Sequence, residues 1–180
     1  EEAAPDQPPE PAWQAFIRLR WWQEGGGLAA FYDDPARRAL MKPEAIWEVE
    51  GGRGLSAFDI THASVTRTAW FNAFRRLFER YDYLIAPTAQ VFPFAIAERW
   101  PRQIAGQAMR TYHEWMRGAC LVSLSGCPSL AVPAGFGVEG LPMGLQIIAP
   151  IGHERDCLEL AHAYEQATPW TSKRLPPLLT

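Results

Sequence analysis

The chain has 180 residues, 48% of them hydrophobic and 21% charged, with a formal net charge of −3. A globular chain of this size buries roughly 70% of the surface that its unfolded form exposes, so a real core is within reach. The composition excludes a wholly disordered chain, a coiled coil and a collagen-like repeat, and 17 basic against 20 acidic residues give no general attraction for nucleic acid.

In chain order, residues 1–10 read as a linker or loop, since Glu1 to Pro11 holds four Pro, four acidic residues and almost nothing apolar. The first Met is Met41, so an upstream start is expected. From Pro11 to Glu24 the spacing of Trp13, Phe16, Ile17, Arg20 and Trp21 predicts a helix, with Gly25, Gly26 and Gly27 expected to stop it. Short helical pieces follow at Pro35 and Pro43, and Gly51, Gly52 and Gly54 are expected to break the chain again. A longer helix is predicted from Ser56, which forms a capping-box-like pattern with Asp59, to about Arg80, with Trp70, Phe71, Phe74, Leu77, Phe78 and Tyr81 on its inner stripe.

Asp82 to Thr88 reads as a short buried strand closed by Pro87. A second long helix is expected over 104–124, with Met109, Tyr112, Met116, Ala119 and Ser123 at three-and-four spacing. Ser129–Val132 and Met143–Ala149 read as strands, and Glu154–Ala167 as an amphipathic helix with Cys157, Leu160, Ala161 and Tyr164 inward. Helices alternating with short strands predict an α/β fold, a sheet flanked by helices, over residues 11–180. No run of about 18 uncharged apolar residues exists, so no membrane span is expected. Three Cys (Cys120, Cys127 and Cys157) are an odd count, which points to buried thiols, a reducing compartment and a cytoplasmic protein.

The search for chemistry returns little. Of the four histidines, His62, His113, His153 and His162, the first two fall on predicted helices and stand in no local pattern that pairs them with a Ser or Cys nucleophile. His113, Cys120 and Cys127 recur every seven residues, but zinc sites use ligands two to five residues apart and a fourth ligand, so no metal is expected. Lys42 and Lys173, the two lysines of the chain, lie in polar surroundings unsuited to lowering an ammonium pKa, which leaves no Ser/Lys base. Ser123-Leu124-Ser125-Gly126 imitates a nucleophile loop, but reads better as a helix end with Gly126 as the left-handed cap. Gly25–Gly27 lacks the following Lys-Ser/Thr of a phosphate loop.

The stretch Gly126 to Pro150, GCPSLAVPAGFGVEGLPMGLQIIAP, resembles the C-terminal part of the amidase signature family in the order and spacing of its motifs. Tyr81 to Phe94 resembles that family's strand ending in Pro-Thr, and Arg155, Asp156, Leu158, Ala161 and Glu165 match its last helix. Met109 to Met116 is similar to a helix of some bacterial members.

The resemblance implies a mixed sheet flanked by helices and hydrolysis of an amide to a carboxylate and ammonia or an amine, with no cofactor. It also implies a Lys, a cis Ser and a nucleophilic Ser in an N-terminal half, and nothing in this chain matches those motifs. The chain is therefore expected to be the C-terminal portion of a longer amidase, inactive alone, with no catalytic residue of its own. Its expected partners are a small-molecule amide, the N-terminal half and, as one assembly, a second copy in a homodimer.

The resemblance implies one wall of the substrate pocket here, with Phe92, Phe94, Tyr112, Trp115 and Met143 as apolar candidates and Gln90 and Gln146 as polar ones. Two other readings stand beside hydrolysis. One is a noncatalytic binding module. The other is the A-type subunit of a tRNA-linked amidotransferase, ranked lower because Glu44 to Gly51 lacks a basic cluster and Tyr112 to Met116 resembles the hydrolase branch.

Overall fold

In the computed structural model, which describes residues 1–175, helix α1 runs from Pro9 to Tyr32 straight through Gly25, Gly26 and Gly27. The expected stop is absent, and so is the expected break at Gly51 and Gly52, which lie inside helix α3, Pro43–Arg53. Each helical glycine costs about 1 kcal/mol relative to alanine, so something must offset three in a row. The reason lies in how closely α1 and α3 approach. A β-carbon on Gly25 would lie 2.5 Å from the Glu48 carbonyl oxygen, and one on Gly51 would collide with the Trp21 indole.

Where the two helices meet, Trp21 and Trp47 pack edge to face with ring centres 4.9 Å apart, and Arg20 Nε donates to buried Glu48 Oε1 at 2.6 Å. Between them the short helix α2, Pro35–Arg38, is capped by Asp34, whose Oδ1 accepts from the N–H groups of Ala36 and Arg37. These elements belong to one compact unit, Pro5–Ala73; a second comprises Glu1–Ala4 and the chain from Phe74 onward.

Helix α4, Ala57–Leu77, begins as its sequence dictates. Ser56 Oγ accepts from Asp59 N–H at 3.2 Å while Asp59 Oδ2 accepts from Ser56 N–H at 2.8 Å, so two donors at the helix start are satisfied reciprocally. Ala63, Trp70, Ala73, Phe74 and Leu77 are buried. Phe71 departs from the expected stripe and is partly exposed, because it is rotated about 100° from Trp70.

The largest departure is over 104–124. Ala105 and Gly106 both adopt positive φ (47° and 81°), the signature of a two-residue hairpin turn. They join strands β2, Gln103–Ile104, and β3, Gln107–Ala108, in an antiparallel pair. The Glu114 carboxylate then accepts from the N–H groups of Arg110 and Thr111, which starts a single 3-10 turn, Glu114–Met116. Helix α5 is confined to Arg117–Ser125, and Gly126 closes it with φ 77°, the left-handed cap read from the sequence.

The main sheet has the order β1-β5-β4 and is antiparallel throughout, with β1 at Leu84–Pro87, β4 at Ser129–Phe136 and β5 at Pro142–Ile148. Central β5 pairs Ile148 with Leu84 on one side and with Ser129 on the other. β1 is an edge strand, and its Ile85 is half-exposed instead of buried. β4 runs four residues beyond its expected end, past an irregularity between Pro133 and Gly135.

Strand alternation sends Leu130, Val132, Leu145 and Ile147 to one face. There they meet Cys157, Leu160 and Ala161 of helix α6, Glu154–Ala167, as expected, whereas Tyr164 lies outside this core and is only partly buried. The other face carries Ser129, Ala131, Gly144 and Gln146 and turns toward α5. A last short helix, α7, spans Trp170–Lys173.

Candidate functional site

On the α5 face of the sheet lies an open cavity of about 440 Å³. Its floor is Ser129, Ala131 and Gln146 from β4 and β5, and its sides are Thr88, Cys127 and the α5 residues Ala119, Val122 and Ser123. Ala119, Val122 and Ser123 share one helical face at spacings of three and four, which is why a single short helix can form that wall.

Gln146 is buried at the centre, and both ends of its amide are used within the sheet. Its Oε1 accepts from Ser129 Oγ on β4 at 3.1 Å, and its Nε2 donates to the Pro87 carbonyl at the end of β1 at 3.0 Å. One side chain thus ties all three strands. Thr88 closes the same corner, donating to the Gly144 carbonyl from its N–H at 3.1 Å and from Oγ1 at 2.9 Å.

Below α5, Ser125 Oγ donates to the Val122 carbonyl at 2.6 Å and accepts from Cys127 N–H at 3.2 Å. Burial pushes the Cys127 thiol up, and the Ser125 hydrogen bond only partly opposes it. The thiol is therefore protonated at neutral pH and is no activated nucleophile.

Of the expected site residues, the structure gathers three aromatics. Phe94 packs edge to face on Trp115 at 5.4 Å, and Trp115 on Tyr112 at 6.4 Å. Trp100, which the sequence reading passed over, joins them through Tyr112 at 6.1 Å and carries Arg102 stacked 3.9 Å from its ring centre. The cluster is tied to the cavity by short stretches of chain: Trp115 precedes Ala119 by one helical turn, and Phe94 follows Thr88 by six residues.

The remaining residues are dispersed. Gln90 is exposed, Phe92 is half-exposed and lies over Gly137, and Met143 shares the α6 face with Leu145 and Ile147, opposite Gln146. Sequence reasoning missed Thr88, Cys127 and Ser129 as cavity residues. The available signal was alternation, which puts Ser129 and Gln146 on one face once β4 and β5 are paired.

Among the described residues no three His, Cys, Asp or Glu side chains come together in a way that could hold a metal ion. Lys42 is exposed ahead of α3, and Lys173 is exposed with its ammonium 4.6 Å from the Trp170 ring centre. Neither is the buried lysine that a Ser/Lys relay requires. No described helix is long and apolar enough to cross a membrane.

Comparison with known proteins follows the same lines. The family model described as Amidase matches residues 20–158. The A-type subunit of the glutamyl-tRNA(Gln) amidotransferase of Thermodesulfovibrio yellowstonii is 39% identical over 119 residues, which is 65% of this chain and 22% of that protein. Its counterpart in Thermosynechococcus vestitus is 38% identical over 108 residues, 60% of this chain and 21% of that protein. The chain therefore spans about a fifth of the length of the curated relatives that it matches.

Among solved structures, a bacterial aryl acylamidase of the amidase signature enzymes superposes with a TM-score of 0.80 and 26% identity, over 93% of this chain and 36% of that one. A 6-aminohexanoate cyclic dimer hydrolase complexed with substrate gives 0.77 at 19% identity, over 97% of this chain and 39% of that one, a likeness of fold alone. With the matched motifs, the sheet and the family model in agreement, the chain belongs to the amidase family, the amidase signature enzymes.

Proposed function

We propose that this chain supplies one wall of the substrate pocket of an amide hydrolase, and that the nucleophile and its base come from amidase-family sequence outside these 180 residues. The observation that carries the reading is the cavity over Gln146, with the Phe94, Tyr112 and Trp115 cluster joined to its walls by short stretches of chain, in a chain whose two lysines are both exposed. The reaction is addition of water across a carboxylic amide to give a carboxylate and an amine or ammonia. The wall would select substrates through apolar and aromatic contact, where one methylene is worth about 1–3 kcal/mol.

Gln146 acts here as a positioning residue, because its oxygen and one N–H are already committed to Ser129 and Pro87. Apolar selection would fall to Phe94, Tyr112 and Trp115, with Phe92 at the margin; Gln90 and Met143 contribute less because they lie away from the cavity floor. The small-molecule amide, the complementary N-terminal part and a homodimer are proposed partners on the same grounds, and the chain alone is proposed to be inactive.

The test is amine release from an anilide and ammonia release from benzamide, by the chain alone and by the chain mixed with an amidase N-terminal part. Turnover is expected in the mixture and none in the chain alone. Turnover by the chain alone, or none in a stable mixture, would overturn the reading.

A second reading, the A-type subunit of a tRNA-linked amidotransferase, is favoured by the sequence matches. The fold favours it less: the corresponding protein of Thermotoga maritima superposes at a TM-score of 0.53 over 74% of the chain, against 0.80 over 93% for the aryl acylamidase.

A further inference from the structure

The chain leaves one wall of the Gln146 cavity at Thr88 and returns to another at Ala119. Just after Thr88 it is held down, because Thr88 bonds twice to the Gly144 carbonyl and the Phe92 ring lies against Gly137. At the far end it is held by α5, which begins at Arg117. Between these anchors, residues 93–116 exceed the ~12–15 residues of an ordinary irregular connection, and connections of that length inside a compact domain serve as binding loops or lids.

The segment is bonded chiefly to itself. The backbone N–H groups of Glu98, Met109, Glu114 and Met116 donate to the carbonyls of Ala95, Arg102, Thr111 and His113, so these four bonds all close inside it. The β2–β3 hairpin makes its substantial contacts internally, and the 3-10 turn makes them with α5. Phe94, Trp100, Tyr112, His113 and Trp115 form a small aromatic core within the segment. The far anchor contains a joint, since Met116 departs from helical geometry at φ −104° and ψ 12° between the 3-10 turn and α5.

That small core is poorly satisfied. The indole Nε1 groups of Trp100 and Trp115 and the hydroxyl of Thr111 are buried with no hydrogen-bond partner among the described residues. A buried donor without an acceptor opposes the packing that buries it, so three in one segment weaken its resting state relative to the sheet. A carbonyl arriving from outside supplies what these donors lack.

We propose that residues 93–116 are an aromatic lid for the Gln146 cavity, which swings about Phe92 and Met116 and closes on an amide that carries an aromatic ring. The inference rests on the functional reading above and adds the substrate class to it. Edge-to-face rings select a flat aromatic group. In the closed state Trp115, one helical turn before the cavity wall at Ala119, donates its indole N–H to the carbonyl of the bound amide.

The experiment follows hydrogen exchange at the bonded amides of Glu98, Met109, Glu114 and Met116, in the purified chain and in the chain mixed with an amidase N-terminal part. In the chain alone these four are expected to exchange together, about tenfold or more faster than the amides of β5. Benzanilide added to the mixture is expected to slow all four about fivefold, and N-butylbutanamide, an amide without a ring, to leave them unchanged. Thr111→Val keeps the side-chain shape and removes one unpaired hydroxyl, so in the ligand-free chain it is expected to slow the whole set about fivefold. Trp115→Phe keeps a ring and removes the donor, and is expected to abolish the benzanilide effect with the melting transition retained.

Protection of these amides equal to that of β5 would overturn the proposal, as would a response to Thr111→Val confined to Glu114 and Met116. Indifference to benzanilide, or equal protection by the ringless amide, would overturn it as well. Protection by benzanilide without turnover would sink the hydrolase reading and leave the lid standing, whereas turnover without protection would do the reverse.

Discussion

The glycine triplet of α1 gives the sharpest test of the fold, because neighbouring substitutions should act with opposite sign. A β-carbon on Gly26 or Gly27 would meet nothing within 4 Å, so alanine there adds only helix propensity. Gly26→Ala should stabilise the chain by about 0.5–1 kcal/mol, or roughly 1–4 °C in Tm. Gly25→Ala gains the same propensity but places its methyl 2.5 Å from the Glu48 carbonyl oxygen and 3.2 Å from Val49 Cα. Both contacts are backbone atoms of a buried helical segment, and Val49 itself is only 1% exposed, so neither can yield locally.

Overpacking costs about 1–3 kcal/mol, and a 2.5 Å contact with a backbone oxygen belongs to the upper part of that range, about 2–3 kcal/mol, which leaves a net loss of about 1–2.5 kcal/mol. Urea titration followed by far-UV circular dichroism reads both. If Gly25→Ala and Gly26→Ala shift the midpoint in the same direction, the close crossing of α1 and α3 is wrong. If Gly26→Ala destabilises, the helix does break at the glycines after all.

Four further outcomes are expected. Gln146→Met should cost about 1–3 kcal/mol, as Ser129 and the Pro87 carbonyl lose their partner. Gln146→Glu should cost more at pH 7 than at pH 4, because a buried carboxylate would face that carbonyl; equal losses at both pH values would contradict the burial. The Asp59 carboxyl is held below its usual range, first by the Ser56 hydroxyl and then by the Ser56 backbone N–H. A depressed carboxylate contributes stability that is full above about pH 4 and is lost as the pH falls through the folded value, so Asp59→Asn should flatten the acid limb of the stability curve and leave its slope near neutrality unchanged. Burial raises the thiols of Cys127 and Cys157, whose contribution is full below about pH 8.5 and declines as the pH rises past it. A thiol reagent at pH 8 should therefore label the native chain slowly and all three cysteines rapidly in urea. Rapid native labelling of Cys157 would contradict its place in the α6 contact with the sheet.

The parts of the fold legible in sequence are those fixed by local chemistry. Ser56 and Asp59 announce a helix start because their side chains bond to the adjacent backbone, and Gly126 announces an end because a left-handed residue must follow α5. The α6 face was legible for a related reason, since its apolar residues recur at the helical period.

What misled was chemistry that depends on a distant neighbour. Gly25 and Gly51 look like breakers until the opposing helix is known to touch them. The Ala105-Gly106 turn hides inside a stretch with helix-forming neighbours, and its two positive φ values are invisible to spacing. For the site, motif resemblance singled out Gln146 but not its use. Trp115, Tyr112 and Phe94 do meet, whereas Met143 falls on the opposite face for the simple reason that it is an odd number of residues from Gln146.

The Gln146 amide also has a consequence for how the sheet forms. A slip of one residue in β5 would turn Gln146 toward the α6 side and strand its amide among Leu130, Val132, Cys157 and Ala161. A slip in either outer strand alone would leave one end of the amide unanswered. Misaligned sheets would then carry an unpaired buried polar group that the aligned sheet lacks. In folding, a single side chain would thus act as a proofreader of alignment, rejecting wrong pairings on both sides of β5 through the same two hydrogen bonds.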